Sequence, residues 1–151
     1  MTMACRWTTV PLLALAAATA CARPGPRPLV YDADTCARCL MTVSDRRFGA
    51  ELVSRTGKVR AFDSVECLAG YVTTAADTRG ATAWVTDITR PGRLIPAQRA
   101  TYVRRARVGR PMGLGLAALD PQRATERARP ELSGPTLTWA QVLALVARGD
   151  S

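Results

Sequence analysis

The run Cys36-Ala37-Arg38-Cys39-Leu40-Met41 places two thiols and a thioether close together. A Cys-x-x-Cys pair by itself suits zinc, an iron–sulfur cluster, redox exchange or a structural disulfide. The added methionine narrows the choice. If the segment is extended, Cys39 and Met41 face the same side, because residues two apart share a face. A thiolate beside a thioether is a soft donor pair, and soft donors suit Cu(I); a hard ion such as calcium wants oxygens. A second methionine, Met112, stands in Arg110-Pro111-Met112-Gly113-Leu114-Gly115, a constrained loop that is an unusual place for a core-filling side chain.

What is missing is equally informative. The chain has no histidine, so Ser-His-Asp and Cys-His catalysis and His-based zinc sites are excluded. Asp45, Asp63, Glu66, Asp87 and Asp120 are scattered and read as turn and cap residues, so no catalytic carboxylate pair is expected. A binding protein is expected, not an enzyme.

These residues need a frame. Thr35–Asp45 carries the sulfur motif, with Leu40–Ser44 expected to be extended. Phe48–Ser54 alternates like a half-buried strand, and Val59–Phe62 pairs back across a Thr56-Gly57 turn. Asp63 reads as the N-cap of a helix over Ser64–Thr73, with Glu66 completing a capping box. Val65, Leu68, Ala69 and Val72 form its apolar stripe. Cys67 lies off that stripe, near Tyr71, which leaves two readings open: a role on a second face, or a helix packed on two sides. A strand is expected at Ala83–Asp87. Further strands are expected at Leu94–Ala97, Thr101–Arg105, Leu116–Leu119 and Pro135–Leu137. Helices are expected at Pro121–Arg129 and from a Thr138 cap to Ala147. The pattern is α+β.

The N-terminus reads as an address. Arg6 followed by the apolar run Val10–Ala20 has the layout of a secretory signal and is too short to span a bilayer. Ala18-Thr19-Ala20-Cys21 resembles a bacterial lipoprotein processing site, at which the cysteine is freed and acylated; plain signal cleavage is the alternative. The proline-rich Ala22–Pro28 then serves as a stiff tether. The expected organisation is a signal peptide over 1–20, a lipidated tether over 21–30 and one domain over 31–151. The formal charge of +9 is almost all arginine. With few aromatics and an export signal, it does not point to nucleic acid. Arg104, Arg105, Arg107 and Arg110 could face an acidic partner.

The ordered set Cys39-Leu40-Met41, Asp45-Arg46-Arg47-Phe48-Gly49-Ala50, Phe62-Asp63-Ser64-Val65-Glu66-Cys67, Trp84-Val85-Thr86-Asp87, Ile95-Pro96-Ala97 and Pro111-Met112-Gly113-Leu114-Gly115-Leu116-Ala117-Ala118, behind a lipoprotein-like leader, resembles the nitrous oxide reductase accessory lipoproteins, the NosL family. The resemblance implies two similar small β-β-α-β units, related to the organomercurial lyase fold, each a small sheet with one packed helix. It implies a Cu(I)-carrying metallochaperone, membrane-anchored on the extracytoplasmic side. Its partners would be a copper enzyme client, nitrous oxide reductase, and that client's membrane assembly complex. By motif position it implies Cys39, Met41 and Met112 as copper ligands, with Cys36 and Cys67 on further family positions. Cys21 is the expected lipidation site. The alternative is an extracytoplasmic thiol–disulfide oxidoreductase using Cys36 and Cys39. A structural lipoprotein with a Cys36–Cys39 disulfide is a third reading. Lyase activity by fold analogy is a fourth.

Overall fold

The computed structural model describes residues 24–104, 113–123 and 130–149. Met112, Cys21, the leader, most of the arginine run and part of the helix expected at Pro121–Arg129 lie outside them.

Two short strands, β1 (Ala50–Val53) and β2 (Val59–Phe62), form the expected hairpin. Helix α1 (Val65–Thr74) follows, then β3 (Thr82–Thr86) and β4 (Leu94–Pro96). These four strands make an antiparallel sheet in the order β2-β1-β3-β4. Pro96 sits on the edge strand, where a missing N–H breaks no ladder. The second sheet has the order β6-β5-β7, from β5 (Thr101–Val103), β6 (Ala117–Leu119) and β7 (Thr136–Leu137). Helix α2 (Trp139–Ala147) closes the described chain. Thr138 caps it in a capping box with Gln141, as the sequence predicts. The class is α+β with two small sheets and one helix for each. In the second unit the helix follows the last strand.

Strand pairing explains the core. Ala50, Leu52, Phe62, Ala83, Val85 and Ile95 share one face of the first sheet and pack with Val65, Leu68 and Ala69 of α1. Tyr102 and Ala118 from the second sheet and Trp139 and Val142 from α2 join the same core. The two units therefore fold around shared apolar surface. The rings of Tyr102 and Trp139 lie 5.7 Å apart, and the Tyr102 hydroxyl donates to the Ala97 carbonyl at 2.8 Å. A parallel bridge between Asp87 and Ala118 joins the sheets by backbone.

Three local expectations change. β1 is not half-buried, because the chain from Pro24 to Tyr31 crosses its outer face. Leu29 and Tyr31 pack there with Val43, Ala61 and Leu94, so all four β1 residues, including Glu51, are buried. The helix starts at Val65, not Ser64, and its cap is Ser64, whose hydroxyl accepts from the Cys67 N–H at 3.2 Å. Residues 121–123, expected to open a helix, form a short 3₁₀ turn. Its register is set by the Asp120 carbonyl, which accepts from the Arg123 N–H at 2.9 Å.

Gly134 is a close-approach glycine. A Cβ there would run into the backbone carbonyl of Arg104 at the end of β5, which cannot swing away as a flexible side chain can. The Arg104 N–H also donates to Pro135 at 2.9 Å, holding the two segments together. Gly134→Ala is therefore expected to lower stability by about 1–3 kcal/mol, measured by denaturant titration. A midpoint at or above that of the parent would show that the segments separate without loss. Among the described residues, no helix is long and apolar enough to cross a membrane.

Candidate metal centre

The site forms where β2 runs into α1. Thr35 and Thr42 bridge antiparallel, and the loop between them folds back on itself. The Cys36 N–H donates to the Met41 carbonyl at 2.8 Å, and the Leu40 N–H donates to the Cys36 carbonyl at 3.0 Å. Leu40 takes a φ of 64° to allow this. That left-handed conformation disfavours a branched side chain by about 1–2 kcal/mol. The turn takes residues 37–39 and Leu40 leaves the extended region, so of the extended piece expected over Leu40–Ser44 the part that pairs is Thr42, in its bridge to Thr35, and strand alternation no longer supplies the reason for grouping Cys39 with Met41. Instead the turn brings Cys39 back toward Cys36. The Ala37 N–H donates to Ala61 of β2 at 2.9 Å, fixing the loop over the start of α1.

Arg38 anchors the loop from its other side. Its guanidinium lies on α1 where Gly70 leaves room, 3.5 Å from the Glu66 carbonyl oxygen. A side chain at position 70 would occupy the same space, which accounts for a glycine inside a helix.

The result is a cluster of four donors. The sulfurs of Cys36, Cys39 and Cys67 and a carboxylate oxygen of Asp63 all lie within 4.8 Å of one another. Cys36 and Cys67 are fully buried, Cys39 is half-buried, and all three are free thiols. Leu40 and Met41 form an exposed rim, at 76% and 51% of their surface. Cys67 meets both descriptions left open by the sequence: it belongs to the core, and its sulfur faces the cluster.

Asp63 is the residue that sequence reasoning misplaced. It was expected to be the helix cap, and Glu66 its capping-box partner. Asp63 is only 4% exposed, and among the described residues neither carboxylate oxygen receives a well-formed hydrogen bond. Among the described residues the Cys67 thiol, a weak donor, is turned toward it, within the cluster that it shares with Cys36 and Cys39. Glu66 is used elsewhere: its carboxylate accepts the Leu116 N–H at 3.1 Å, tying α1 to the segment entering β6. A signal was present in the sequence. Asp63 and Ser64 are adjacent, and only one residue can cap a helix. Asp45, Asp87 and Asp120 are turn residues as expected, accepting from the N–H groups of Arg47, Thr89 and Gln122.

The charge is unequally shared. The Cys67 thiol hydrogen-bonds toward Cys36 and pulls the Cys36 thiol down to about 6, against the opposing effect of burial; the backbone N–H groups of Cys39, Asp63 and Arg38 add to the pull. Cys67 is pushed upward, first by Cys36, then by burial and by Asp63. Burial also raises Cys39, with the Met41 backbone N–H opposing it. Cys36 therefore holds a thiolate near neutral pH and Cys67 keeps its proton. A buried thiolate, two further thiols and a carboxylate fit a soft or borderline metal ion.

The model of the NosL family matches residues 29–145. A solved structure, that of the copper chaperone NosL from Shewanella denitrificans, aligns with a TM-score of 0.62 at 18% identity. The alignment covers 78% of this chain and 96% of that one, and shows a shared fold. No curated protein matches the chain. The family match takes in both sheets, α1, most of α2 and all three clustered thiols, and on that extent this chain belongs to the NosL family.

Proposed function

We propose that this protein is an exported, lipid-anchored carrier of Cu(I) that supplies copper for the maturation of nitrous oxide reductase or another exported copper enzyme. The observation that carries this reading is the convergence of Cys36, Cys39 and Cys67 beside an exposed Met41. The solved relative is a copper chaperone, and the leader ending at Cys21 supports export and acylation. The copper is cargo, and the protein is a carrier rather than an enzyme.

The transfer chemistry follows from burial. Cys36 and Cys67 form a fixed inner pair, while Cys39 and Met41 stand toward solvent. An incoming sulfur from the client or its membrane assembly complex would replace the outer ligands first. Copper then moves by successive ligand exchange and is never released to water. Met112, which lies outside the described residues, is proposed as a further thioether ligand.

The alternative thiol–disulfide reading draws support from the lowered Cys36 thiol. It meets a steric objection, because Cys36 has no exposed surface on which an incoming disulfide could land. It also does not open a helix, the usual device for activating such a thiol.

The test is a Cu(I) competition titration of the reduced protein against a chromophoric chelator, with Met41→Ala and Met112→Ala beside it. Tight one-to-one binding is expected, weakened roughly tenfold by each substitution. Weak binding by the parent would overturn the copper-carrier reading, while tight binding unmoved in both variants would remove the thioethers from the ligand set and leave the three thiols to hold the copper.

A further inference from the structure

Pro24 stands at one end of the first sheet. It shares a cleft there with Val53, Arg55, Gly80 and Thr82, and a Cβ at Gly57 would touch its ring at 3.6 Å. Strand register defines that end, because Val53 stands opposite both Val59 of β2 and Thr82 of β3. The turns that leave these positions, 54–58 and 78–81, therefore lie side by side. Each is closed by backbone: the Gly57 N–H donates to Ser54 and the Ala81 N–H to Thr78, both at 3.0 Å. The Arg55 side chain lies over Gly80 and joins the two turns.

These turns carry Arg55, Lys58 and Arg79. All three are exposed, and among the described residues none is paired with a carboxylate. Asp77, between α1 and β3, is taken by Arg60 and by the Tyr71 hydroxyl. Glu51 of β1 is fully buried. This end of the sheet thus presents positive charge that the fold does not compensate. Cys21 stands three residues ahead of Pro24 in the sequence, and three residues reach at most about 11 Å. An acyl group on Cys21 would hold both turns close to the bilayer surface.

We propose that Arg55, Lys58 and Arg79 dock this end of the domain on anionic phospholipid headgroups of the bilayer that holds the anchor. The inference rests on acylation of Cys21 and gives the anchored domain one orientation. Each basic side chain near an anionic surface favours contact by about fivefold. Three together give about a hundredfold, which is weak for a free domain. It suffices for a tethered one, because the anchor makes docking intramolecular. The two guanidinium groups also match phosphate oxygens in forked contacts. Docking would set the direction of the metal cluster. β2 runs from Val59 at the docked end to Phe62, about 10 Å further on. Asp63 and the clustered thiols follow at that far end, so Leu40 and Met41 remain open to a partner.

The test uses the mature chain recovered from the membranes of a bacterial host that acylates lipoproteins, and its mass reads whether Cys21 is modified. The acylated protein is placed in vesicles of phosphatidylcholine alone and of phosphatidylcholine with an equal part of phosphatidylglycerol. Amide hydrogen exchange is then followed by mass spectrometry. Peptides over 54–58 and 78–81 are expected to exchange about threefold or more slowly in the anionic vesicles, with those over 37–42 unchanged. Added salt should abolish the slowing in the parent. Lys58→Gln with Arg79→Gln should abolish it as well. Arg93→Gln with Arg99→Gln removes the same charge from exposed positions beside β4 and should preserve it. Exchange over α1 and α2 shows that each variant is folded. Equal exchange in the two vesicles, slowing that survives salt, or equal loss in both variant pairs would overturn docking and leave the anchor and copper carriage standing. A recovered chain without an acyl group would overturn the anchor, and this orientation with it, without touching copper carriage.

Discussion

Cys36→Ser is expected to lower Cu(I) affinity at pH 7 by roughly a hundredfold or more, above the loss usual for altering a residue that merely supports a ligand. The reason is protonation as well as ligand type. A metal binds thiolate, so each thiol that must lose its proton makes binding weaker and more dependent on pH. Cys36, held near 6, has already lost its proton at neutral pH, whereas Cys39 and Cys67 are both raised. Serine supplies neither the charge nor the soft donor. The pH profile separates this from damage to the fold. In the parent, the Cys36 proton contributes to the pH dependence only below about 6. Cys36→Ser also removes the thiolate that keeps Cys67 protonated, so affinity in the variant should depend on proton loss from the two remaining thiols throughout the neutral range. A Cys36→Ser protein that binds Cu(I) within threefold of the parent, with the same profile, would remove Cys36 from the site.

The central role of Cys36 was only partly legible in the sequence. Cys-x-x-Cys marked the segment, and the order of strands and helices followed from alternation, turns and caps. β2 and the α2 cap lie where the pattern puts them. What could not be read was anything decided between distant segments. Strand alternation suggested that Cys39 and Met41 share a face, but hydrogen bonds across the loop put Leu40 in the left-handed region and made a turn. Capping rules placed Asp63 at the helix end, because Ser64 and Asp63 are both acceptable caps and sequence spacing cannot say which side chain the thiols surround. Cys67 was ambiguous for the same reason. A helix seen alone has one stripe, while α1 is covered on several sides by the first sheet, α2 and the loop at Cys36.

Glu51 shows the same limit on the opposite face of the sheet. In β1 it stands beside Ala61 and Trp84, at a position an alternating strand would give to solvent. It has no exposed surface, because the chain around Arg27 and Leu29 lies across it. Its Oε2 accepts the Arg27 N–H at 3.1 Å, while its Oε1 has no partner among the described residues. The Arg27 guanidinium is engaged by Asp34 in a two-pronged pair and does not neutralise Glu51 directly. Burial therefore dominates and pushes the Glu51 carboxyl up to about 7, against the weaker pull of the Arg27 N–H and charge.

A carboxyl raised in the folded state favours folding while it is protonated. Its contribution is complete below the ordinary value of 4.5 and is lost as pH rises through about 7. The difference corresponds to roughly 3 kcal/mol between those limits. Cys36 acts in the opposite direction: a lowered thiol contributes stability above its usual range near 9, and that contribution is lost as pH falls through about 6. The parent's pH profile therefore mixes two opposed trends. Glu51→Gln separates them, since glutamine can still accept the Arg27 N–H through its carbonyl oxygen and carries no charge at any pH. The variant is expected to be more stable than the parent by about 2–3 kcal/mol at pH 8 and by less than 1 kcal/mol at pH 5. Paired denaturant titrations at the two pH values measure this directly. An equal difference at both would mean that Glu51 is ionised throughout, and that the N-terminal segment does not seal this face from water. The pH-dependent difference would instead establish that the stretch following the proposed lipid anchor is part of the folded domain. Copper transfer would then take place at a site whose reach from the membrane is set by the residues ahead of Pro24, and not by a tether running freely as far as Val30.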